Sequence, residues 1–385
     1  MRLKFASEPP PGASSIPFEG PLEARVRDAA RRLGFDAVGI ARADVPLGAD
    51  FARYQTFLDE GMNGEMDWLA ENAEARRRLD SSDILDGAKS VICLARRYQR
   101  APEDEAEDPP TARAIARYAR GRDYHNGIRK KLRRLAAWLR TLGTPEAPVS
   151  ARPMIDSAPV LERAWAARAG LGFVGKNGLI IVPGEGSLVL LGEVVTTLAL
   201  APDTPMAERC GSCTRCLDVC PTQAIVRPFV VDPRRCVAYL TIEHRSAIPE
   251  DLRDGVGEHL FGCDDCQTVC PFNASARPRP KEATRSFEPA ARWGEIGLGE
   301  LVLLDPQAWA ELTLGSPVHR ATAEGLARNA AICLGNGGDR EALGPLRTAA
   351  AEHPSAIVRE AAAWAERKLS HGAGENDHTP GQSPK

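Results

Sequence analysis

The chain has 385 residues, of which 43% are hydrophobic and 26% charged, and its formal net charge is −3. This balance is typical of a globular protein of two or three domains and excludes a fibrous or wholly disordered one. Its apolar runs fall short of the roughly 20 residues that a bilayer-spanning helix needs, and residues 1–20 lack the apolar segment of a secretory signal. We therefore expect a cytoplasmic protein with no membrane partner. The near-neutral charge does not exclude a nucleic-acid partner, since it can conceal a basic face.

Hydrophobic periodicity predicts alternating helices and strands over the first 200 residues. The predicted elements, in chain order, are helix 22–33, strand 35–41, helix 51–70, strand 90–95, an acidic surface loop over 101–110, a basic amphipathic helix 128–142, helix 159–169, and a hairpin of strands 179–182 and 187–200. Together they indicate an α/β domain over residues 21–200, after a disordered leader of residues 1–20.

The last third of the chain is alanine-rich and helical in pattern. The predicted helices are 306–312, 320–333, 340–352 and 355–369. Short antiparallel helix pairs of this kind suggest a small HEAT-like array over residues 291–370. The polar residues 371–385 are predicted to be a disordered tail.

Ten cysteines are distributed unevenly along the chain. In a reducing compartment we do not expect disulfides. Cys93 and Cys333 each stand alone in an apolar segment and are predicted core residues. The other eight fall between positions 210 and 270 and define a middle domain over residues 201–290.

The spacing of these eight cysteines is typical of two [4Fe–4S] clusters. The run C-x2-C-x2-C-x3-C-P begins at Cys210, and in bacterial ferredoxins its fourth cysteine binds the other cluster. A second run begins at Cys263 and lacks its first cysteine, which Cys236 can supply. Cluster one then takes Cys210, Cys213, Cys216 and Cys270, and cluster two takes Cys220, Cys236, Cys263 and Cys266. Zinc, the alternative metal, is usually held by two C-x2-C pairs that are separated along the chain, and neither run has that form.

Two clusters form an electron path that must end in the first domain or in a partner, so other cofactor motifs matter. Residues 170–175 match G-x-G-x-x-G but follow a helix and open a strand, the reverse of a dinucleotide fingerprint. Residues 123–127 are close to the cobalamin motif D-x-H-x-x-G, but Ile128 puts the glycine one residue out of register. Asp156 precedes a predicted helix, where it is either a simple N-cap or a functional carboxylate.

These segments together resemble the epoxyqueuosine reductases, which use cobalamin and iron–sulfur clusters to complete queuosine in tRNA. The resemblance extends over residues 22–370 and is carried by residues 118–125, 156–163 and 169–177, both cysteine runs, 239–243 and 328–330. It implies an α+β multidomain fold: a nitroreductase-like α/β domain that binds cobalamin, a ferredoxin-like two-cluster domain and C-terminal HEAT-like repeats that help to hold tRNA.

The resemblance also implies the reaction. Epoxyqueuosine at the wobble position of the tRNA anticodon would be reduced to queuosine. Electrons from an external low-potential donor would pass through two [4Fe–4S] clusters and reduce base-off cob(II)alamin to cob(I)alamin, which attacks the epoxide. Asp156 would be the catalytic proton donor, and we expect burial against the apolar corrin face to raise its pKa.

Further site residues follow from the same resemblance. The expected cofactor-binding residues are Arg78, Tyr124, His125, Asp156, Arg163, Lys176 and Asn177. Arg163 either orients the acid or a corrin amide, or forms a surface ion pair with Glu162. The expected tRNA-binding residues lie in basic segments and are Arg133, Arg134, Arg320 and Arg328. Such charge runs are also common as solvated faces, and we expect a monomer.

Three other functions fit parts of the pattern. A corrinoid enzyme like the reductive dehalogenases would act on a small molecule, but those enzymes typically carry a twin-arginine export signal. If the protein were an iron–sulfur electron-carrier subunit, residues 21–200 would have no evident function. This alternative also predicts that the protein contains no cobalt. A tRNA-binding protein with merely structural clusters predicts no redox chemistry.

Overall fold

A computed structural model of the chain describes residues 20–371. Residues 1–19 of the predicted leader and 372–385 of the predicted tail lie outside the described range. The strands are β1 (Ala37–Arg42), β2 (Ser90–Arg97), β3 (Ala151–Met154), β4 (Phe173–Val174), β5 (Ile180–Ile181), β6 (Val189–Thr196), β7 (Ile225–Arg227) and β8 (Val230–Val231). The helices are α1 (Leu22–Arg32), α2 (Gly48–Asp59), α3 (Pro102–Ala106), α4 (Pro110–Arg113), α5 (Tyr124–Arg140), α6 (Glu162–Arg168), α7 (Arg215–Asp218), α8 (Val237–Ile242), α9 (Glu250–Val256), α10 (Asp265–Thr268), α11 (Pro271–Ala274), α12 (Lys281–Thr284), α13 (Leu298–Val302), α14 (Pro306–Thr313), α15 (Ala323–Gly337), α16 (Leu343–Glu352) and α17 (Ala356–His371).

A four-stranded antiparallel sheet organises the first half of the chain, with strand order β1-β2-β6-β3. Side chains alternate between its two faces, as in any strand. On β6, Val194 faces the core formed with α1 and α5, whereas Val195 faces the core that contains Trp165 of α6. The sheet is therefore covered by helices on both faces, and the predicted mixture of helices and sheet is confirmed.

The predicted hairpin of strands 179–182 and 187–200 is wrong. β5 pairs with β4, while β6 lies in the middle of the main sheet between β2 and β3. The apolar run of β6 fits this position, because a central strand is covered on both faces.

Two other local predictions need correction. The segment 101–110 was expected to be a surface loop but contains α3, and Asp108 within it is buried in ion pairs with Arg100 and Arg120. Helix α5 begins at Tyr124, four residues before the predicted start, because Asp123 caps it: the Asp123 side chain accepts a hydrogen bond from the His125 backbone N–H at 2.9 Å.

The two cysteine runs have the same local structure. In each run a loop leads into a single helical turn, α7 in the first and α10 in the second, and the two turns contact each other. Pro271 begins the short helix α11, whereas Pro221 of the first run does not start the expected helix and is followed by a turn and then β7.

The C-terminal helices share one apolar core with the cysteine-rich segment. Val256 of α9, Trp293 and Ile332 of α15 are all buried in it. Helices α15 and α17 approach very closely: a Cβ on Gly335 would lie 2.8 Å from the Ala365 Cβ. Among residues 20–371, no helix is long and apolar enough to cross a membrane.

Candidate active site and cluster-binding cysteines

Asp156 is the centre of a hydrogen-bonded group that joins the end of β3 to the start of α5. Tyr124 Oη donates to Asp156 Oδ2 at 2.7 Å, and His125 Nε2 lies 2.8 Å from the same oxygen. The other ring nitrogen of His125, Nδ1, lies 2.6 Å from Asp123 Oδ1. The Tyr124 and His125 rings stack with their centroids 4.1 Å apart. The imidazole is thus held between two carboxylates.

The charges in this group favour a proton on His125. Partial burial lowers the pKa of His125, but the hydrogen bonds to Asp123 and Asp156 outweigh this and raise it to about 9. For Asp156, burial raises the pKa, but the hydrogen bonds and charge of His125, with the Tyr124 hydroxyl, bring it below its ordinary value. Without the cofactor the Asp156 pKa is thus lowered, because a cation lies beside the carboxyl, and the rise expected on burial against the corrin stays a prediction for the cofactor-bound protein. The site holds an imidazolium–carboxylate pair at neutral pH.

Asp156 is reachable from solvent. Its side chain is 39% exposed and that of His125 28% exposed. A molecule placed over this face would meet a carboxylate whose proton source lies directly behind it.

Lys176 and Asn177 connect the sheet half of the chain to the cysteine loops. Lys176 Nζ donates to the carbonyl oxygens of Gly211 at 2.6 Å and Cys213 at 3.0 Å. Asn177 is buried, and its side chain makes a hydrogen bond to Cys266 that lowers the pKa of that thiol against the larger effect of burial. Both residues were expected to bind cofactor, and the structure places both beside the cysteines.

Arg163 and Arg78 take different positions. The exposed Arg163 donates through Nη1 to the Gly178 carbonyl, so the surface ion pair with Glu162 does not form. Arg78 pairs with Asp80 through Nε and Nη2 at 2.8 and 2.7 Å. Its side chain is half exposed, and no described contact joins it to Asp156 within residues 20–371.

The eight clustered cysteines have free thiols, and all but Cys270 are partly exposed. Burial raises the pKa of Cys210 to about 11, with smaller contributions from Glu208 and from the neighbouring Cys270. Burial and the neighbouring Cys236 raise the pKa of Cys266, to about 12. Cys270 is thus an electrostatic neighbour of the first run, and Cys236 of the second, but Cys216 also acts on Cys266, so the crossed ligand sets stay a prediction. Half-buried thiols grouped in this way fit iron, whose positive charge stabilises the thiolates.

The segment 156–163 offers polar groups that fit a corrinoid, a ring edged with amides that both donate and accept hydrogen bonds. Asp156, Ser157 and Arg163 are all exposed along it. Both nitrogens of His125 are engaged by carboxylates, so His125 offers no free lone pair to a metal. These residues fit a corrinoid bound without a histidine ligand.

A basic face lies on α5 beside this group. A cavity of about 420 Å³ is lined by Arg129, Lys130, Arg133 and Arg134, and the last two are exposed as expected. A second cavity, of about 550 Å³, has Arg122, Lys131 and Arg292 in its wall together with Asp123 and Tyr124. Basic residues therefore lead from the outer face of α5 to the Asp123–His125 turn.

The other two expected tRNA-binding arginines behave differently from each other. Arg320 is exposed but forms a bidentate ion pair with Glu243, in which the guanidinium nitrogens lie 2.9 to 3.1 Å from the carboxylate oxygens. Arg328 is only 1% exposed, and it donates to the carbonyl oxygens of His244 and Leu240 at 3.0 and 2.7 Å. The expectation for Arg328 is corrected, because its guanidinium joins α15 to α8 and does not reach the surface.

Sequence reasoning missed three carboxyls. Asp123 contacts Nδ1 of His125, on the opposite side of the ring from Asp156. Its position just before α5 in the sequence indicates a helix N-cap. Glu162 begins α6, which packs on β2 and β6, Glu193 lies on β6, and the charge of Asp156 raises the pKa of both. The signal for Glu193 was a single charged residue within the otherwise uncharged strand β6.

The chain is similar to known proteins over most of its length. Residues 209–273 match the family described as "4Fe-4S double cluster binding domain", and residues 78–157 match "Epoxyqueuosine reductase QueG, DUF1730". An epoxyqueuosine reductase of Xanthomonas campestris is 42% identical over 350 residues, which cover 89% of this chain and 94% of the relative.

Two solved structures are similar over most of their length. One is an epoxyqueuosine reductase with a tRNA-Tyr epoxyqueuosine-modified tRNA stem loop: it is 30% identical, each chain is covered to 91%, and the TM-score is 0.80. The other, from Bacillus subtilis, has an aspartate-bearing catalytic loop swung out of the active site; it is 30% identical, each chain is covered to 90%, and the TM-score is 0.78.

Proposed function

The chain belongs to the epoxyqueuosine reductase family, and from that premise we propose how its own residues reduce epoxyqueuosine to queuosine in tRNA. It is an oxidoreductase with a domain for two [4Fe–4S] clusters. The observation that carries the proposal is the exposed Asp156 carboxylate with the His125 ring 2.8 Å behind it. This arrangement suits a reaction in which negative charge develops on a substrate oxygen.

Opening an epoxide breaks a carbon–oxygen bond and leaves negative charge on the oxygen, so a proton must arrive there. His125 carries that proton at neutral pH, because its pKa is about 9. The proton passes from His125 Nε2 to Asp156 and from Asp156 to the epoxide oxygen. Asp123, on Nδ1, keeps the ring oriented and stabilises its positive charge, and Tyr124 fixes the Asp156 carboxyl.

The cofactors implied by the family complete the chemistry. When bound, the corrinoid supplies a strongly reducing, nucleophilic cobalt centre, and the two [4Fe–4S] clusters supply its electrons singly from an external low-potential donor. We propose that Asp156, Ser157 and Arg163 contact the corrinoid, with Tyr124 and His125 at its edge. Lys176 and Asn177 position the cysteine loops beside it, and Arg78 remains a predicted contact.

We propose that the tRNA lies along the basic face of α5. Arg133 and Arg134 would contact phosphates on the outer part of this face, and the second cavity would lead the anticodon loop to Asp156. The modified base would be turned out of the loop to reach the carboxylate, as RNA-recognition proteins commonly require. Arg320 can join these contacts only where it exchanges Glu243 for a phosphate.

For the architecture, we propose a nitroreductase-like α/β domain over residues 21–200, a ferredoxin-like domain over 201–290 and HEAT-like repeats over 291–370. The antiparallel sheet, the paired cysteine turns and the close packing of α15 on α17 support these assignments. The protein would act as a monomer in the cytoplasm, where tRNA is modified.

A nucleoside assay tests the function. The protein is purified anaerobically, loaded with iron, sulfide and cobalamin, and given a low-potential reductant and tRNA from cells that accumulate epoxyqueuosine. The tRNA is then digested, and epoxyqueuosine and queuosine are quantified by mass spectrometry. We expect conversion that depends on cobalamin. Conversion without cobalamin would refute the corrinoid, and no conversion by fully loaded protein would favour a corrinoid reductase of small molecules.

A further inference from the structure

The hairpin of β7 and β8 in the cysteine-rich segment turns apolar side chains toward solvent. Val226 is 52% exposed and Phe229 45% exposed, and among the large hydrophobic side chains of residues 20–371 only Leu314 is more exposed. The two turn residues of the hairpin are Pro228 and Phe229, and Phe229 has a φ of 71°, a conformation that is usual for glycine or asparagine. The turn thus presents an aromatic ring where a small or polar residue is common.

This hairpin is attached directly to the loop of the first cysteine run, residues 210–220. The Phe229 backbone N–H donates to the Lys176 carbonyl oxygen at 2.9 Å, and Lys176 Nζ donates to the carbonyl oxygens of Gly211 and Cys213. The helical turn α7 of the same run contacts β7. The exposed side chains of the hairpin and the cluster-binding loop therefore belong to one continuous surface.

The first cysteine run lies at this surface, whereas the second is more enclosed. Thr214 and Arg215, which lie between two cysteines of the first run, are both exposed. At the position that matches Thr214 the second run has Asp264, which is buried and accepts a hydrogen bond from the Arg117 backbone N–H at 2.7 Å. Because electron transfer slows steeply with distance, a cluster held by the first run is the better acceptor of electrons from outside.

The charge around the first run is positive, although the net charge of the whole chain is −3. Residues 207–235 contain five arginines and three acids, which gives a net charge of +2. Each acid already has a partner within the chain: the Cys210 backbone N–H for Glu208, the Thr214 hydroxyl for Asp218 and the Arg234 guanidinium for Asp232. The acids therefore do not neutralise the remaining arginines.

Three of these arginines have free guanidinium groups. Arg209, Arg215 and Arg227 are exposed, and their side chains form no ion pair or hydrogen bond within residues 20–371. Arg209 directly precedes the first cysteine of the run, Arg215 begins α7 and Arg227 ends β7. The apolar side chains of the hairpin are thus accompanied by positive charges that have no partner in the described chain.

We propose that these residues form the docking face for the electron donor, and that the donor is a small acidic protein with a low-potential one-electron centre near its surface. The docking face comprises Arg209, Arg215, Val226, Arg227 and Phe229. Aromatic and arginine side chains are enriched where proteins meet, and an apolar centre bordered by charge is the usual arrangement. Negative charge on the carrier complements the three arginines and steers the encounter.

Each encounter moves one electron, and no bond forms or breaks. The carrier is oxidised by one electron, and the cluster held by the first run is reduced by one. The inference rests on the proposed function for the later fate of the electrons: reduction of one epoxyqueuosine to queuosine and water consumes two electrons and two protons. Two encounters supply the two electrons, and the small interfaces of electron-transfer complexes suit such repeated exchange.

Variants separate the charge of the docking face from its apolar surface. R215Q and R227Q each remove one exposed positive charge. F229N removes the ring and keeps a residue that tolerates a positive φ. R367Q is the matched control, because Arg367 is an exposed arginine of α17 that has no ion pair within residues 20–371. Iron content and thermal unfolding of each variant show that the clusters and the fold persist.

The probe is reduced flavodoxin, an acidic one-electron carrier, mixed with oxidised, fully loaded protein in the absence of tRNA. Flavin absorbance in a stopped-flow instrument gives the rate of electron transfer. At low salt we expect R215Q and R227Q each to slow it about two- to fivefold and to weaken its salt dependence. F229N should slow it by about fivefold or more with the salt dependence unchanged. R367Q should match wild type, and dithionite, which needs no docking face, should reduce every variant at the wild-type rate.

The outcomes separate the docking face from its alternatives. Wild-type rates with flavodoxin in R215Q, R227Q and F229N would overturn it, and so would equal slowing with dithionite, since the variants would then act on the clusters. Weaker tRNA binding in these variants with unaltered electron transfer would assign the face to tRNA, the other acidic partner. Electron transfer that depends on the face, in a protein that forms no queuosine, would refute the proposed function and leave the docking face in place.

Discussion

His125 Nε2 lies 2.8 Å from Asp156 Oδ2, although 31 residues separate the two along the chain. The contact joins the first turn of α5 to the segment after β3, and it places a cation against the carboxylate at the surface. In the proposed mechanism the proton of the site resides on the imidazole, and Asp156 conveys it to the substrate. Each of the following predictions depends on this arrangement or on the cysteines that supply electrons.

The first prediction concerns pH. Because the pKa of His125 is raised to about 9, the imidazolium is present below that pH and is lost as the pH rises through it. We therefore expect kcat to fall above about pH 9. The ion pair also stabilises the folded protein, and this stabilisation is complete below pH 6.5 and is lost as the pH rises through about 9. A profile of kcat from pH 6 to pH 10 measures this fall. H125Q should be slow at every pH and should show no fall in kcat above pH 9. An unchanged fall in H125Q would assign the titration to another group.

The second prediction concerns the crossed cluster ligands. C270S should reduce the iron content from about eight to about four atoms per chain, since one of two four-iron clusters is lost. If Cys270 and Cys213 hold the same cluster, the double variant C270S/C213S loses no more iron than either single variant, while C270S/C263S loses nearly all of it. Iron analysis and electron paramagnetic resonance measure this, with C333A as the control because Cys333 is buried in the helical core. Loss of both clusters in C270S/C213S would contradict the crossed sets.

The third prediction concerns the basic face of α5. R133Q and R134Q should each weaken tRNA binding at low salt and reduce the slope of log K against log salt by about 0.7 to 0.9, the value for one phosphate contact. R53Q is the matched control: Arg53 is an exposed arginine of α2, which packs on the opposite face of the sheet from α5. Binding measured by fluorescence anisotropy over a salt series checks this. Equal slopes for all three variants and wild type would place the tRNA elsewhere.

The fourth prediction separates Arg328 from the surface arginines. R328M would leave several buried carbonyl oxygens without a donor, including those of Leu240 and His244. We expect it to lower the free energy of unfolding by about 3 kcal/mol, whereas R133Q should change it by less than about 0.5 kcal/mol. Denaturant unfolding of the metal-loaded protein measures both. An unaltered midpoint in R328M, with weakened tRNA binding, would restore Arg328 as a tRNA contact.

The sequence was most informative where chemistry depends on local spacing. The cysteine runs indicate their metal because three ligands lie within seven residues, from Cys210 to Cys216. The partners of each strand were harder to predict from the sequence. The residues of β6 fit a hairpin as well as the centre of a sheet, and only its pairing with β2 and β3 in the structure decides between the two.

The sequence also did not show which charged groups lie next to each ionisable side chain. The pKa of Asp156 depends on His125, which only the fold brings within hydrogen-bonding distance. Arg328 was assigned to a basic tRNA-binding segment, yet it lies in an alanine-rich helix and its guanidinium is enclosed by the loop after α8. Glu193 was one acidic residue in an apolar strand, and nothing in the strand itself indicates a second carboxyl beside it.

The most direct test of the account is a single-turnover experiment with D156N. Iron and cobalamin contents are first shown to equal those of wild type, and D44N, which alters a partly buried carboxyl paired with Arg42, serves as the control. Reduced protein is mixed with epoxyqueuosine tRNA, and queuosine is quantified over time. We predict a rate about 10²- to 10⁴-fold lower in D156N, the usual effect of removing a general acid, and a wild-type rate in D44N. Queuosine formation at the wild-type rate in D156N would contradict proton delivery through Asp156.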